Sequence, residues 1–252
     1  MTNRYKKIGI KQAIHLDWLE KTLNLLEMGL DLEEIRGELK RYLQKKRFVV
    51  DKTKFYSKQT QNFVISNLLK TWVIPDKDLF NFRNALLDLQ KKENSLAIHW
   101  AMISSAYPFW HFVAYYTGRL FKLQNEVSKK QILIRLKEQY GDRETISRYT
   151  DYVLKSFLEW GVLKEVDVNG VYIIGNQQEI AQPQTVVCLL ESVLNCYHKK
   201  QFDYNSLLDS PSLFHFKYPD INLDQIEKYS NRIEINYFGN SRYFISLKNE
   251  CE

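Results

Sequence analysis

The chain has 252 residues, a hydrophobic fraction of 44% and a formal net charge of +6 at pH 7. This composition is typical of a globular protein with a buried core and argues against long disorder. Glycine and proline are scarce, with 9 and 5 residues, which disfavours the many tight turns of an all-β fold. The mild basicity suits a nucleic-acid partner without requiring one.

The cysteines and the first residues indicate where the protein resides. Cys188, Cys196 and Cys251 have no CxxC spacing, so they predict neither a disulfide framework nor a zinc site and suit a reducing compartment. The basic residues 1–7 are not followed by the apolar run of a signal peptide, because His15 and two acidic residues interrupt it. We therefore predict a cytoplasmic protein.

Four amphipathic helices are predicted first, because leucine and isoleucine recur at helical spacing. They cover about residues 14–28, 31–46, 57–73 and 78–92. Gly29 is expected to end the first helix and Asp31 to cap the second, so the two form a helical hairpin. Together with the segment that follows, they predict a helical bundle over residues 1–124.

The span from Ser95 to Gly118 contains no charged residue and is long enough to cross a bilayer. It is poor in leucine and is interrupted by histidine, serine and proline, whereas a lipid-facing helix favours leucine, isoleucine and valine. We predict two buried helices, about 95–106 and 108–123, with Pro108 in the first turn of the second. A membrane partner is not expected.

The next segment changes character. Two helices are predicted, Val127–Tyr140 and Glu144–Trp160, followed by strands at Val162–Val166 and Val171–Ile174. The strands flank Asn169-Gly170, a hairpin turn in which both central residues take positive φ. Helix, short turn, helix and hairpin in this order are typical of a winged helix-turn-helix, here at residues 125–177.

The last segment, residues 178–252, predicts a helix and a hairpin. The helix covers about 183–199 and begins at Pro183. Residues 201–222 are predicted to be irregular, and the strands Ile233–Tyr237 and Tyr243–Leu247 form the hairpin, with Gly239-Asn240 at its turn. The predicted fold class is therefore mainly α with a minor α+β part.

The second helix of the central module has two distinct faces. Its apolar stripe, expected to face the core, consists of Ile146, Tyr149, Val153, Phe157 and Trp160. The opposite face carries Glu144, Arg148, Asp151, Tyr152, Lys155 and Glu159. A recognition helix needs this arrangement in order to reach base edges or phosphates in the major groove. The predicted DNA-binding residues of the module are Arg143, Arg148, Tyr152, Lys155 and Lys164.

Charge leaves an alternative open for this module. Residues 126–167 contain eight basic and eight acidic residues, so the module by itself gains little from counterion release. Winged helices also serve as protein–protein modules. The charge balance therefore keeps two interpretations, direct contact with DNA and contact with a partner protein.

A basic run between residues 40 and 58 favours the DNA interpretation. Only one acid, Asp51, opposes it, and Tyr42, Phe48, Phe55 and Tyr56 are interleaved with the cations. The predicted DNA-binding residues of this run are Lys40, Arg41, Lys45, Lys46, Arg47, Lys52 and Lys54, with Lys58 at its end. Such a pattern resembles a surface that follows a nucleic-acid backbone, with aromatic rings for stacking. The alternative is a solvated helix end and loop.

Signatures of enzymes, cofactors, small-molecule ligands and metals are not found in the sequence. There is no GxGxxG, Walker A, GxSxG or HExxH motif, and the five histidines are scattered. Glu38-Leu39-Lys40 has the Glu-x-Lys spacing of some nucleases, but it falls on a predicted helix without a strand-borne acidic partner. We expect no catalytic residue, and a cluster of carboxylates in a pocket would reopen an enzymatic function.

Three features together resemble the BrxA accessory proteins of bacterial BREX phage-defence systems. They are the helical hairpin with Gly29–Ile35, the uncharged aromatic segment 95–118, and the stretch Tyr152–Leu163. The resemblance covers about residues 10–175. It implies a cytoplasmic, non-enzymatic, DNA-binding component that works beside larger defence proteins.

The predicted function is therefore non-catalytic binding of duplex DNA in a bacterial defence or regulatory assembly, through the winged helix and the basic run. The alternative is an adaptor whose winged helix binds protein. A third and weaker hypothesis is an enzyme with an unrecognised site.

Overall fold

A computed structural model describes residues 4–6, 8–45, 55–90, 95–239 and 242–248. Most of these residues are helical, and the strands are short. The helices are α1 (Leu16–Glu27), α2 (Leu32–Gln44), α3 (Lys58–Trp72), α4 (Phe80–Gln90), α5 (Ser95–Ala106), α6 (Pro108–Phe121), α7 (Lys129–Tyr140), α8 (Glu144–Glu159), α9 (Pro183–Leu194), α10 (Tyr204–Leu208) and α11 (Leu223–Tyr229). The strands are β1 (Val127–Ser128), β2 (Leu163–Glu165), β3 (Val171–Ile174), β4 (Gln178–Glu179), β5 (Phe202–Asp203), β6 (Phe216–Lys217), β7 (Ile233–Tyr237) and β8 (Tyr243–Leu247).

The first helical hairpin has the caps that the sequence predicts. The Asp31 carboxylate accepts hydrogen bonds from the N–H groups of Glu33 and Glu34, and the Glu34 carboxylate accepts one from the Asp31 N–H. This capping box satisfies donors that the first turn of α2 leaves free. Gly29 follows α1 with φ +78°, as expected of a helix-terminating glycine.

Helices α5 and α6 form the interior of the molecule, as the uncharged span predicts. Every residue of α5 after Ser95 is buried, and most of α6 up to Gly118 is buried as well. Pro108 occupies the first turn of α6, so the break falls where it was expected. Among the described residues, no helix has the length and apolarity needed to cross a membrane.

The three strands β1, β2 and β3 form one antiparallel sheet in the order β1-β3-β2. The predicted hairpin is confirmed, with Leu163 opposite Ile174 and Glu165 opposite Tyr172. The prediction for its turn is wrong in one respect: Gly170 has φ +77°, but Asn169 does not have positive φ. The Val171 N–H donates to the Val168 carbonyl, so positive φ is needed only at the third position of this turn, as in type II turns.

The start of α7 also differs from the prediction. Val127 was expected in the helix, but it lies in β1 opposite Tyr172. The reason is local, because Ser128 and Gln131 form a capping box that starts the helix at Lys129. Val127 is still buried, because strand pairing directs its side chain into the core.

The C-terminal part contains more regular structure than the sequence indicated. Helix α9 ends at Leu194, earlier than the predicted 199, because Cys196 and Tyr197 donate to carbonyls three residues back and tighten the chain into turns. The segment 201–222 is only partly irregular, because it contains β5, which pairs with β8, the short helix α10, and β6, which pairs in parallel with β4. The strands of the final hairpin are confirmed, and Asn240 of its turn lies outside the described residues.

Candidate nucleic-acid interface

The faces of α8 are as the sequence predicts. Ile146, Val153 and Phe157 are fully buried, Trp160 is buried just beyond the helix, and Tyr149 is half-buried. The opposite face is open to solvent at Arg148 and Lys155, as well as at Glu144 and Glu159. The buried stripe therefore fixes the rotation of the helix and leaves its outer face accessible.

The C-terminal end of α8 is attached to the segment before α1. The Ile14 N–H donates to Ser156 Oγ (2.9 Å), and Trp160 Nε1 donates to the Ile14 carbonyl (2.9 Å). The Leu16 N–H donates to the Glu159 carboxylate (3.2 Å). Sequence reasoning did not predict these contacts, because they join residues more than 140 positions apart. Ser156 was the available signal, since it is a polar residue beside the apolar stripe.

Three acidic side chains near the outer face of α8 have partners within the protein. Asp151 pairs with Lys129 (3.0 Å), and Glu159 lies 3.4 Å from His15 Nδ1 in addition to its bond with Leu16. The Glu165 carboxylate of the hairpin accepts from the Gly170 N–H (2.6 Å). Three carboxylates that balance the charge of this region are therefore held by neighbours.

The predicted cations of the module are exposed. Arg148, Lys155 and Lys164 pair with no carboxylate of the described residues, and the Arg148 guanidinium lies 5.7 Å from the centre of the Tyr149 ring. Arg143, at the N-cap of α8, donates to the Tyr140 carbonyl (2.9 Å) and is also exposed.

Tyr152 is half-buried, and its ring centre lies 6.3 Å from that of Tyr149. The two rings lie nearly parallel. Tyr152 therefore presents only part of its surface to a ligand, in contrast to the exposed Arg148 and Lys155 on the same helix.

Only part of the basic run is described. Lys40, Arg41 and Lys45 lie in the exposed last turns of α2 or at its cap, and Arg41 pairs with Glu38 (2.5 Å). Lys46, Arg47, Lys52 and Lys54 lie outside the described residues, and so does Phe48. Lys58 is exposed at the first position of α3.

Both ends of the run contact the start of α1. The Tyr42 hydroxyl donates to Asp17 (2.8 Å), and the Tyr56 hydroxyl lies 3.4 Å from His15 Nε2. His15 is also the neighbour of Glu159 at the end of α8. The structure therefore brings the described ends of the run to the same region as the C-terminal end of α8.

This junction contains the atoms of a candidate metal site. Ligand atoms of His15, Asp17 and Glu159 lie within 4.8 Å of one another. Each of the three already has a partner in the protein, namely Glu159 for His15, Tyr42 for Asp17 and the Leu16 N–H for Glu159. We interpret the cluster as a contact between α1 and α8.

Two pockets of the described structure lack a cluster of carboxylates in their lining. One lies between α3 and the junction of α5 and α6, and its described lining contains none. The other lies between α6 and residues 208–218, and its described lining contains one carboxylate, that of Asp209. Glu38-Leu39-Lys40 lies within α2, with Leu39 buried and Glu38 paired to Arg41. Neither pocket provides the acidic cluster that would favour an enzymatic function.

No protein-family model, curated protein or solved structure matches this chain in the three comparisons made.

Proposed function

We propose that residues 108–174 form a winged helix-turn-helix and that the outer face of α8 binds duplex DNA without catalysis. The order of elements supports this proposal: α6, β1, α7 and α8 are followed by the β2–β3 hairpin, and β1 pairs with β3 to complete the sheet. In such modules the helix after the turn enters the major groove. The proposal extends the module predicted at 125–177 to include α6 as its first helix.

The observation that carries the proposal is the outer face of α8. Arg148 and Lys155 lie within a few tens of degrees of each other around the helix axis, at about 100° per residue. Both are exposed and pair with no described carboxylate, whereas Asp151 and Glu159 are held by neighbours. Arg148 is the candidate for contacts with a base edge, and Arg143, Lys155 and Lys164 for contacts with phosphates.

The basic run supplies the second part of the proposal. Tyr42 and Tyr56 bring its ends to the start of α1, next to Glu159. Exposed lysines at the end of α2 would add phosphate contacts beside α8, and these contacts carry affinity rather than sequence information. The run would therefore supply the net positive charge that the module itself lacks.

The test is binding to labelled duplex DNA across a salt series, measured by fluorescence anisotropy. Replacing Arg148 and Lys155 by alanine should reduce the slope of log K against log salt by about 0.9 for each lost phosphate contact. Loss of a base-edge contact at Arg148 should cost about 1–3 kcal/mol and should differ among sequences. The double substitution Lys77→Ala and Lys228→Ala removes the same charge from exposed positions outside the module and should leave the slope unchanged.

The basic run is tested in the same assay. Replacing Lys45, Lys46 and Arg47 by alanine should weaken binding to all sequences to a similar extent. Binding that neither variant changes, with the fold intact, would contradict the proposal. Absence of binding by the parent protein at low salt would contradict it as well.

An adaptor function has one observation in its favour. Leu123 is 83% exposed, and Ile134 and Val168 are also exposed large apolar residues of the same region. Exposed apolar side chains are typical of protein interfaces when they are contiguous. A partner protein would then occupy the module, and its binding would depend on these residues rather than on Arg148.

Participation in a phage-defence assembly is part of the DNA-binding proposal and rests on the resemblance to BrxA proteins.

A further inference from the structure

A cavity on another part of the molecule has the features of an anion site. It has a volume of about 370 Å³ and lies between the N-terminal residues, α3 and the junction of α5 and α6. Its cationic side chains are Arg4, Lys11 and Lys70, and its described lining contains no carboxylate. Volumes of this order are typical of small-molecule sites. The α8 surface does not contribute to it, so the site is separate from the proposed DNA interface.

The positive charge of the cavity is only partly compensated. Arg4 pairs with Asp78, which lies outside the lining, and Lys70 Nζ is 3.9 Å from Asp76 Oδ1. Lys11 is exposed and pairs with no described carboxylate. Among the described residues, Asp78 and Asp76 therefore oppose Arg4 and Lys70, and Lys11 at the rim has no carboxylate partner.

Two buried donors of the lining have no acceptor. Asn67 is 6% exposed, and its Nδ2 has no hydrogen-bond partner among the described residues. The Tyr107 hydroxyl donates to Asn67 Oδ1 (3.4 Å), so this contact leaves Asn67 Nδ2 unpaired. Arg4 Nε is likewise buried without an acceptor. Both donors lack an acceptor among the described residues and are therefore available to a ligand that carries acceptor atoms.

We propose that this cavity binds a small phosphorylated molecule of about mononucleotide size. The oxygens of a phosphate monoester would accept from Asn67 Nδ2 and Arg4 Nε, and Lys11 and Lys70 would neutralise its charge. Lysine binds phosphate as a compact point charge, which suits the two flexible side chains at this site. Phe63 and Tyr107, whose rings lie under the Lys11 and Lys70 ammonium groups, supply the apolar wall for the rest of the ligand.

Isothermal titration calorimetry with AMP, inorganic phosphate and adenosine tests the proposal. AMP should bind with a Kd below about 1 mM, and adenosine should bind at least about tenfold more weakly because it lacks the phosphate. Phosphate alone should bind more weakly than AMP, since it leaves most of the cavity empty. Equal binding of AMP and adenosine, or no binding of AMP at about 10 mM, would overturn the proposal. Equal binding of phosphate and AMP would overturn the assigned ligand size.

Two variants identify the site. Asn67→Asp keeps an oxygen for Tyr107 but replaces the free donor with a carboxylate, so AMP binding should fall at least about tenfold. Lys11→Ala changes an exposed residue, so it keeps the test valid if Asn67→Asp does not fold, and it should weaken AMP binding several-fold. Lys228→Ala, an exposed lysine on α11, is the matched control. AMP binding unchanged by Lys11→Ala would contradict the proposal, and DNA binding by the same variant reports separately on α8.

Discussion

Helices α5 and α8 are neighbours, with the rings of Trp100 and Phe157 only 5.0 Å apart, but their surroundings differ. Helix α5 is enclosed by other helices, and beyond Ser95 every side chain is buried. Helix α8 buries one stripe and exposes Arg148 and Lys155 on the other side. The two helices therefore share an apolar contact, but α5 is shielded from solvent on all sides and α8 only along one stripe.

The comparison teaches how to interpret an unusual composition. The absence of charge in the span 95–118 resulted from burial on all sides of α5 and most sides of α6, which neighbouring helices provide. The mixed charges of α8 have a different origin, since several are ion-paired and the others face water. Composition alone does not separate a buried core helix from a bilayer span, whereas the length of each helix does, because no helix among the described residues is long and apolar enough to cross a membrane.

The largest effect is expected where the two helices meet. Phe157 is fully buried and its ring lies 5.0 Å from both Trp100 and Trp110, so Phe157→Ala should lower the free energy of unfolding by about 3–5 kcal/mol. Urea denaturation provides the measurement. Lys155→Ala, two positions away on the outer face, should change the free energy of unfolding by less than about 0.5 kcal/mol. Similar values for the two variants would contradict the assignment of faces.

Two ion pairs extend the comparison from apolar to charged residues. Glu191 is 1% exposed, and both of its oxygens accept hydrogen bonds from Arg232 (2.5 and 2.8 Å). Arg232→Ala leaves a buried carboxylate without its cation and should cost about 3 kcal/mol, measured by urea denaturation. The Lys129–Asp151 pair beside α8 is more than one third exposed, so Lys129→Ala should cost less than about 1 kcal/mol. Equal costs would show that burial does not distinguish the pairs.

Acid should destabilise the protein through its buried histidines. Burial lowers the pKa values of His99 and His215 to about 3, so both are neutral in the folded protein, whereas unfolded histidines titrate near 6.5. Below that pH the unfolded state binds more protons, and the free energy of unfolding falls as pH falls towards 3. Each histidine should contribute roughly 1 kcal/mol to the loss between pH 6 and pH 5. Thermal and urea unfolding across this range provide the measurement.

Leucine variants of the two histidines separate titration from hydrogen bonding. His99 Nδ1 accepts from Trp72 Nε1 (3.1 Å), so His99→Leu should cost about 1–3 kcal/mol at pH 7.5. Neither ring nitrogen of His215 has a partner among the described residues, so His215→Leu should leave stability at that pH nearly unchanged or increase it. Each variant should reduce the acid slope, and an unchanged slope would contradict the assignment.

The smallest effect is expected at the hairpin. Gly170 has φ +77°, and a methyl group there would meet the nearest side-chain atom at an ordinary 3.8 Å. Gly170→Ala should therefore cost only about 1 kcal/mol, from backbone strain without a clash, as measured by thermal unfolding. Asn169→Ala should cost less, because Asn169 does not take positive φ. A larger cost at Asn169 than at Gly170 would support the predicted turn, in which both central residues take positive φ.

The sequence predicts most helices and both hairpins, because these depend on local periodicity and caps. Asp31, Pro108 and Gly170 each act within a few residues of their own position. The faces of α8 follow from the same periodicity, so the exposure of Arg148 and Lys155 was predictable.

Pairing between distant segments was not predictable in the same way. Strand β1 has only two residues and becomes a strand because β3 lies beside it. The parallel pair β4–β6 and the contacts of Ile14 with α8 depend on tertiary packing, which local sequence patterns do not reveal. The partners of Asp151 and Glu159 also depend on the fold, so the sequence overstated the negative charge available at the outer face.

The attachment of Ile14 to α8 has a consequence for the order of folding. Ile14 precedes Ser156 by 142 positions and Trp160 by 146. At a synthesis rate of about 5–20 residues per second, α8 follows Ile14 after roughly ten seconds, so the first hairpin emerges from the ribosome without this partner. The start of α1 therefore docks late, and closing such a long loop is slow compared with forming local helices. A nascent chain arrested before residue 156 should contain the helical hairpin while the Ile14 N–H, which has no Ser156 to bond, remains open to hydrogen exchange.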